Sequence, residues 1–292
     1  MSSEHTIEID KVRLKYFLYR NSKTPRPLIV LIHGLGSNHS RWEEFVETSS
    51  LLERWDILVP DMRGCGNSMV RGRITLERWA HDLVQILRHE HYANAVLIGH
   101  SLGAHIALIF LSNYPEMVRG LVLIDPLSRE EFIPAFRRAW RMRWFGKLLT
   151  ATIMFLNKLG IKRRLIPIQD LRALDKAARL LIEAGKEREM IKRYSSPQID
   201  LNYNPVANYF QYTYEILRPL PTINNSDTAT LLLLSGKSSF SKGRLQHPLV
   251  EQFARCTVKY VDCNHWLLTE KPREAREIVE EWFSEEFGEN PL

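Results

Sequence analysis

Apolar residues fall along this chain in two rhythms, and the change from one to the other divides it. Near the start, Val12, Leu14, Tyr16 and Leu18 alternate with other residues. That is the period of a half-buried strand, so 6–10 and 12–19 are expected to form an opening hairpin. Short runs that are apolar throughout follow at 28–33, 56–60, 94–98 and 121–124, then from residue 230 and at 257–261. Strands covered on both faces have this pattern. Between them the spacing lengthens: Leu76, Trp79, Ala80, Leu83 and Leu87 recur at three and four, which predicts a helix over 76–90 with one core face. Further helices are expected at 42–53, 248–255 and 272–287. Alternating strand and helix implies an α/β fold, a mostly parallel sheet covered by helices on both faces. From about 127 to 225 the strand period disappears. The chain is therefore expected to divide into a sheet domain at 1–126, an inserted helical cap at 127–225 and the remainder of the sheet domain at 226–292.

Gly99-His100-Ser101-Leu102-Gly103 stands between the run 94–98 and an apolar, helix-prone stretch at 104–111. G-x-S-x-G between a strand and a helix is a nucleophile elbow, a tight turn that lifts a serine hydroxyl above the sheet. Glycines on either side permit the strained backbone and the close approach of strand and helix. His33-Gly34-Leu35-Gly36 directly follows the run 28–32. The backbone N–H of Leu35 is placed to be one oxyanion donor, and that of Leu102, just after the serine, the other. Asp61-Met62-Arg63-Gly64-Cys65-Gly66-Asn67-Ser68 reads as a structural turn after 56–60, with Cys65 an inert small residue. Asn264-His265-Trp266 follows the last strand and precedes the terminal helix.

In this order and spacing the four motifs resemble the α/β-hydrolase family, over about 28–128 and again over about 230–287. The resemblance implies Ser101 as nucleophile and His265 as its base, in a serine esterase or lipase-like enzyme. A serine hydroxyl needs a histidine to take its proton, and that histidine needs a carboxylate to hold its tautomer. Of the ten histidines, His100 is expected to point away from Ser101 by strand alternation, and His105 lies on the following helix. His81, His89 and His91 sit on or after a surface helix, and His247 lies in a polar loop. The family's usual acid follows the seventh strand, where this chain has Ser238 and Ser239, and no Asp or Glu lies between Asp227 and Glu251. Asp125, ending the sixth strand, is the replacement, as in branches of the family that draw the acid from that strand. The alternatives are Asp262, Glu130 or no acid at all. A serine at the elbow excludes the aspartate nucleophile of dehalogenases and epoxide hydrolases.

Composition adds limits. The N-terminus lacks a signal-peptide pattern, no apolar run reaches the ~18 residues of a membrane span, and three cysteines have no metal-binding or secretory spacing. A cytoplasmic enzyme without metal or other cofactor is expected. A net charge of +6 suits an anionic partner such as a lipid headgroup or an acidic substrate. Nucleic acid is not expected, because the basic residues fall on the cap and not on a binding module. In the cap, Arg137 to Arg164 holds nine Lys or Arg and no Asp or Glu, while Phe132, Phe136, Trp140 and Trp144 recur every four residues. A basic face beside an aromatic one marks a helix at a membrane interface; the competing expectation is that the aromatics pack the cap onto the sheet domain. The substrate expected is a small apolar ester or thioester. An acyltransferase or C–C bond hydrolase would use the same serine, and a binding protein without turnover would explain the vacant acid position after the seventh strand.

Overall fold

The computed structural model describes residues 2–127, 134–223, 226–237 and 247–288. Eight strands form one sheet: β1 (Ser2–Ile9), β2 (Val12–Tyr19), β3 (Leu28–Ile32), β4 (Asp56–Pro60), β5 (Ala95–His100), β6 (Val118–Ile124), β7 (Thr230–Ser235) and β8 (Cys256–Val261). Their order is β1-β2-β4-β3-β5-β6-β7-β8. The opening hairpin is antiparallel, and β2 joins β4 antiparallel; from β4 to β8 every pairing is parallel.

The central strands are buried on both faces, and their alternate residues feed two cores. Leu97, Leu121 and Leu123 join the core under α2 (Leu76–His89) and α3 (Leu102–Asn113), with Leu83 and Phe110. Val96, Ile98, Val122 and Ile124 join the core under α1 (Glu43–Thr48) and the terminal helix, with Val46 and Trp282. Each fully buried aliphatic side chain stabilises the fold by roughly 1.5–3 kcal/mol, so these runs fix the sheet without alternating polarity.

Two expected helices differ. The helix over 42–53 breaks at Ser49, whose extended backbone and capping side chain, accepting from Leu51 N–H, start a separate 3-10 turn. The helix over 248–255 contracts to one 3-10 turn, Val250–Gln252. There the backbone pairs instead with Ser226, through Ser226 N–H to Gln252 O (3.1 Å) and Ala254 N–H to Ser226 O (2.9 Å).

After Ile124 the chain leaves the sheet and returns at Thr230. Between lie helices α4 (Pro134–Arg141), α5 (Arg143–Lys158), α6 (Leu171–Glu183), α7 (Glu187–Tyr194), α8 (Pro197–Tyr203) and α9 (Val206–Ile216). The fold closes with α10 (Leu267–Glu270) and α11 (Pro272–Phe287). β3 and β5 lie side by side while β4 lies beyond β3, so the sheet's winding reverses beside β5. The carboxyl ends at such a reversal leave a crevice.

Candidate active site

Ser101 sits between β5 and α3 with φ +55° and ψ −115°, a conformation disfavoured for a residue with a side chain. Sterics force the turn. A Cβ on Gly99 would lie 2.4 Å from the Gly103 carbonyl, and one on Gly103 would lie 2.2 Å from the Ile32 carbonyl oxygen. Strand, helix and the neighbouring strand are therefore in backbone contact, and the serine is held by its own N–H donating to Ile124 O at 2.8 Å.

The ring of His265 spans the gap between Ser101 and Asp125. Nε2 accepts from the Ser101 hydroxyl at 3.0 Å, and Nδ1–H donates to Asp125 Oδ2 at 2.5 Å. The second oxygen of Asp125 accepts both the N–H and the hydroxyl of Ser235, each at 2.8 Å. All four residues are buried. The seventh strand thus supplies the carboxylate's hydrogen-bond partner, while the sixth supplies the carboxylate. Ser101 can pass a proton to His265, and the imidazolium that results faces an ionised acceptor.

Asp262 does not approach this ring; it pairs with Lys237 at the surface (2.9 Å). Glu130, Ser238 and Ser239 lie outside the described residues. Leu35 lines the cavity above Ser101, and a Cβ on Gly34 would come within 3.4 Å of the Ser101 Cβ, so the turn after β3 lies against the serine. Leu102 is the first residue of α3, where a helix leaves its N–H without an intrahelical partner.

His100 departs from expectation. Its ring lies 5.1 Å from that of His265 and donates through Nε2–H to the His265 carbonyl at 3.0 Å. Alternation fails there because the chain turns sharply at the next residue. Burial pushes its basicity down, to a pKa of about 3, so the ring is a neutral donor. Two more buried histidines hold the chain after Asp125: His247 Nε2–H donates to Pro126 O (3.3 Å) and His105 Nε2–H to Leu127 O (3.0 Å). His247 also accepts Leu249 N–H at Nδ1. Neither contact is with Ser101. His33 is likewise structural, accepting Met62 N–H at Nε2 and donating from Nδ1 to Gly34 O. The 61–68 turn is built on Asp61, which accepts from His39 and Asn67, and on the buried pair of Arg63 with Asp82 (2.6 and 2.7 Å). Burial raises the Cys65 thiol to about 12, which makes it inert.

The cavity holds about 440 Å³ and opens on Ser101 and His265. Its walls are mostly apolar, among them Leu127, Leu174, Phe210, Leu217 and Trp266. Two polar groups in it went unnoticed in the sequence. Arg41 ion-pairs with Asp175, donates to Thr269 Oγ1 (2.7 Å) and stacks on Tyr194. Asp200 sits against Gly36, hydrogen-bonded to Tyr209, and burial lifts its carboxyl to about 7. Four of these partners come from the inserted helices, where no local motif announces them. Among the described residues no His, Cys, Asp and Glu cluster could hold a metal ion, and no helix is long and apolar enough to cross a membrane.

The family model for the alpha/beta hydrolase fold matches residues 27–272. The chain belongs to the α/β-hydrolase family. Among its relatives is an abhydrolase domain-containing protein of Schizosaccharomyces pombe, 21% identical, covering 94% of this chain and 98% of that protein. Ethanol acetyltransferase 1 of Hanseniaspora uvarum is 25% identical over 87% of this chain and 79% of its own length. Of solved structures, the ligand-free epoxide hydrolase CorEH superposes with a TM-score of 0.65 at 15% identity, covering 98% of this α/β hydrolase and 99% of that chain; at that identity the likeness is one of fold.

Proposed function

We propose that this α/β hydrolase cleaves carboxylic esters or thioesters with an apolar acyl part, through an acyl-enzyme on Ser101. The observation that carries the reading is the unbroken line Ser101–His265–Asp125, buried at the foot of a mostly apolar cavity. Ser101 Oγ attacks the acyl carbon as His265 takes its proton, and Asp125 stabilises the imidazolium. The N–H groups of Leu35 and Leu102 receive the oxyanion. On collapse His265 protonates the departing alcohol or thiol, and water then releases the acid by the same steps reversed. The inserted helices α4–α9 serve as the cap, and apolar residues of α6, α8 and α9, such as Leu174, Ile199 and Phe210, accept the acyl chain. Each methylene adds only ~0.8 kcal/mol there, so chain length is selected gradually.

The contact of Asp125 with His265 supports turnover against the one feature that favoured a protein without it, the vacant acid position after β7. A second reading has support of its own: the relative from Hanseniaspora uvarum is named as an acetyltransferase. The same acyl-enzyme would then pass to an alcohol in place of water. A fluorophosphonate probe should label the purified protein stoichiometrically and Ser101→Ala not at all. p-Nitrophenyl esters from acetate to palmitate, with and without added alcohols, separate hydrolysis from transfer. A wild-type protein that resists the probe under conditions that label ordinary esterases overturns both readings.

A further inference from the structure

The structure divides the aromatic stripe noted in the sequence. Trp140 is half-buried and packs against the core, whereas Trp144 is 66% exposed and Phe145 74% exposed. Phe132 and the side chain of Phe136 lie outside the described residues. Leu148 and Phe155 extend the exposed apolar surface along α5, and Leu165 (87% exposed) and Ile168 carry it into the link to α6. Packing of the insertion onto the sheet domain accounts for Trp140 and leaves the rest unexplained.

Charge is concentrated on the same stretch. Residues 137–164 hold nine of the 40 Lys and Arg and none of the 34 Asp and Glu, so the remainder, 31 against 34, is net −3. Arg138, Arg141, Lys147, Lys158, Lys162 and Arg164 have no carboxylate partner among the described residues. Arg143 stands over the ring of Trp140 (4.6 Å) and Lys147 over that of Trp144 (5.1 Å), so cations and aromatics alternate along one surface.

This surface adjoins the cavity. α5 packs on α9, where a Cβ on Gly146 would strike the Tyr214 hydroxyl, and α9 lines the cavity with Tyr209, Phe210 and Thr213. At the other end the exposed link passes Ile168, and the next residue, Gln169, lines the cavity. Arg163 anchors this link by donating to Leu201 O and Asn202 O (2.8 and 2.9 Å).

We propose that α4, α5 and the link to α6 form a docking surface for an anionic lipid bilayer. Trp144, Phe145, Leu148, Leu165 and Ile168 enter the headgroup–acyl boundary while the lysines and arginines meet lipid phosphates. A second copy of the chain fits poorly, since the surface would bring two strongly positive patches together. The docking rests on the surface alone. One consequence rests on the ester-hydrolase reading: the substrate is a lipid-borne acyl ester that reaches Ser101 past Ile168 and Gln169.

The test is flotation of the full chain with vesicles of phosphatidylcholine alone or mixed with phosphatidylserine. Binding should favour the anionic vesicles and weaken as salt rises to about 0.5 M. Each charge removed should lower partitioning about 5-fold, so a triple Arg141→Gln, Lys147→Gln, Lys158→Gln variant should lose about 10²-fold. Trp144→Ser with Phe145→Ser should lose at least ~10-fold. Both variants should keep the wild-type circular dichroism spectrum and wild-type turnover of p-nitrophenyl butyrate. Ser101→Ala should bind vesicles as wild type does, which separates docking from catalysis. Absence of binding to anionic vesicles at low salt overturns the proposal, as does equal binding by the variants. A dimer in sedimentation velocity that Trp144→Ser and Phe145→Ser dissolve would overturn it too, by assigning the apolar face to self-association.

Discussion

On the sheet side of the cavity the acid and the buried histidines are pinned: Asp125 accepts from His265 and Ser235, and His100, His105 and His247 each hold a named backbone carbonyl. Beyond α9, on the outer face of the insertion, the pattern inverts, with large apolar groups in water and six cations that have no carboxylate partner among the described residues. The difference is one of what each region must hold still. Proton transfer between Ser101 and His265 needs a geometry fixed to tenths of an ångström. A surface that meets a fluid, chemically uniform partner needs area and charge, with no single exact contact.

The sharpest way to break this contrast is to remove one member of the buried line. Ser101→Ala, His265→Ala and Asp125→Asn should each lower turnover by about 10⁴-fold or more while the fold persists. Near-wild-type turnover in Asp125→Asn would sink its assignment as the acid. Next in size, Gly99→Ala or Gly103→Ala should cost about 3 kcal/mol, since the new methyl meets backbone that cannot yield. A chemical-denaturation midpoint close to wild type would refute that tight contact.

His100→Ala should lower turnover by roughly 10- to 10²-fold through a displaced His265. With a pKa of about 3, His100 stays neutral wherever the enzyme is assayed, so the pH dependence of turnover should have the same shape in the variant as in the wild type. A changed pH dependence would mean that His100 takes part in the proton chemistry. The same burial has a thermodynamic sign. His100 and His105 are lowered from 6.5 to about 3 and about 4, so below 6.5 the unfolded chain binds protons the folded chain refuses. Stability should be full above pH 6.5 and decline from there down to about 4 and below. Thermal melts of His105→Gln should flatten that decline. The smallest effect is expected at the other carboxylate: Asp262→Asn, which removes an exposed pair with Lys237, should change turnover less than about 2-fold.

The same division explains how much could be read from the residues alone. Strands buried on both faces declare themselves as apolar runs, and the elbow, the turn after β3 and the late histidine are local signals. Asp125 stands out as a candidate acid because the space after β7 holds serines. Asp200, Tyr194 and Asp175 do not stand out, since they reach the cavity only through the packing of helices far apart in sequence. Alternation does not place the ring of His100, because it holds along a strand and ends where the chain bends. The helix expected at 248–255 failed for a related reason: backbone pairing with Ser226 outweighs local helical preference.

The position of Asp125 has a mechanical consequence. It is the first residue beyond β6, where the chain departs into the insertion, so the candidate acid and the root of the insertion are almost the same place. His247 grips Pro126 and His105 grips Leu127, two fastenings from separate parts of the sheet domain on successive residues. The backbone that leads from Asp125 into the insertion is thereby tied to the sheet domain right beside the carboxylate that accepts from His265 Nδ1–H.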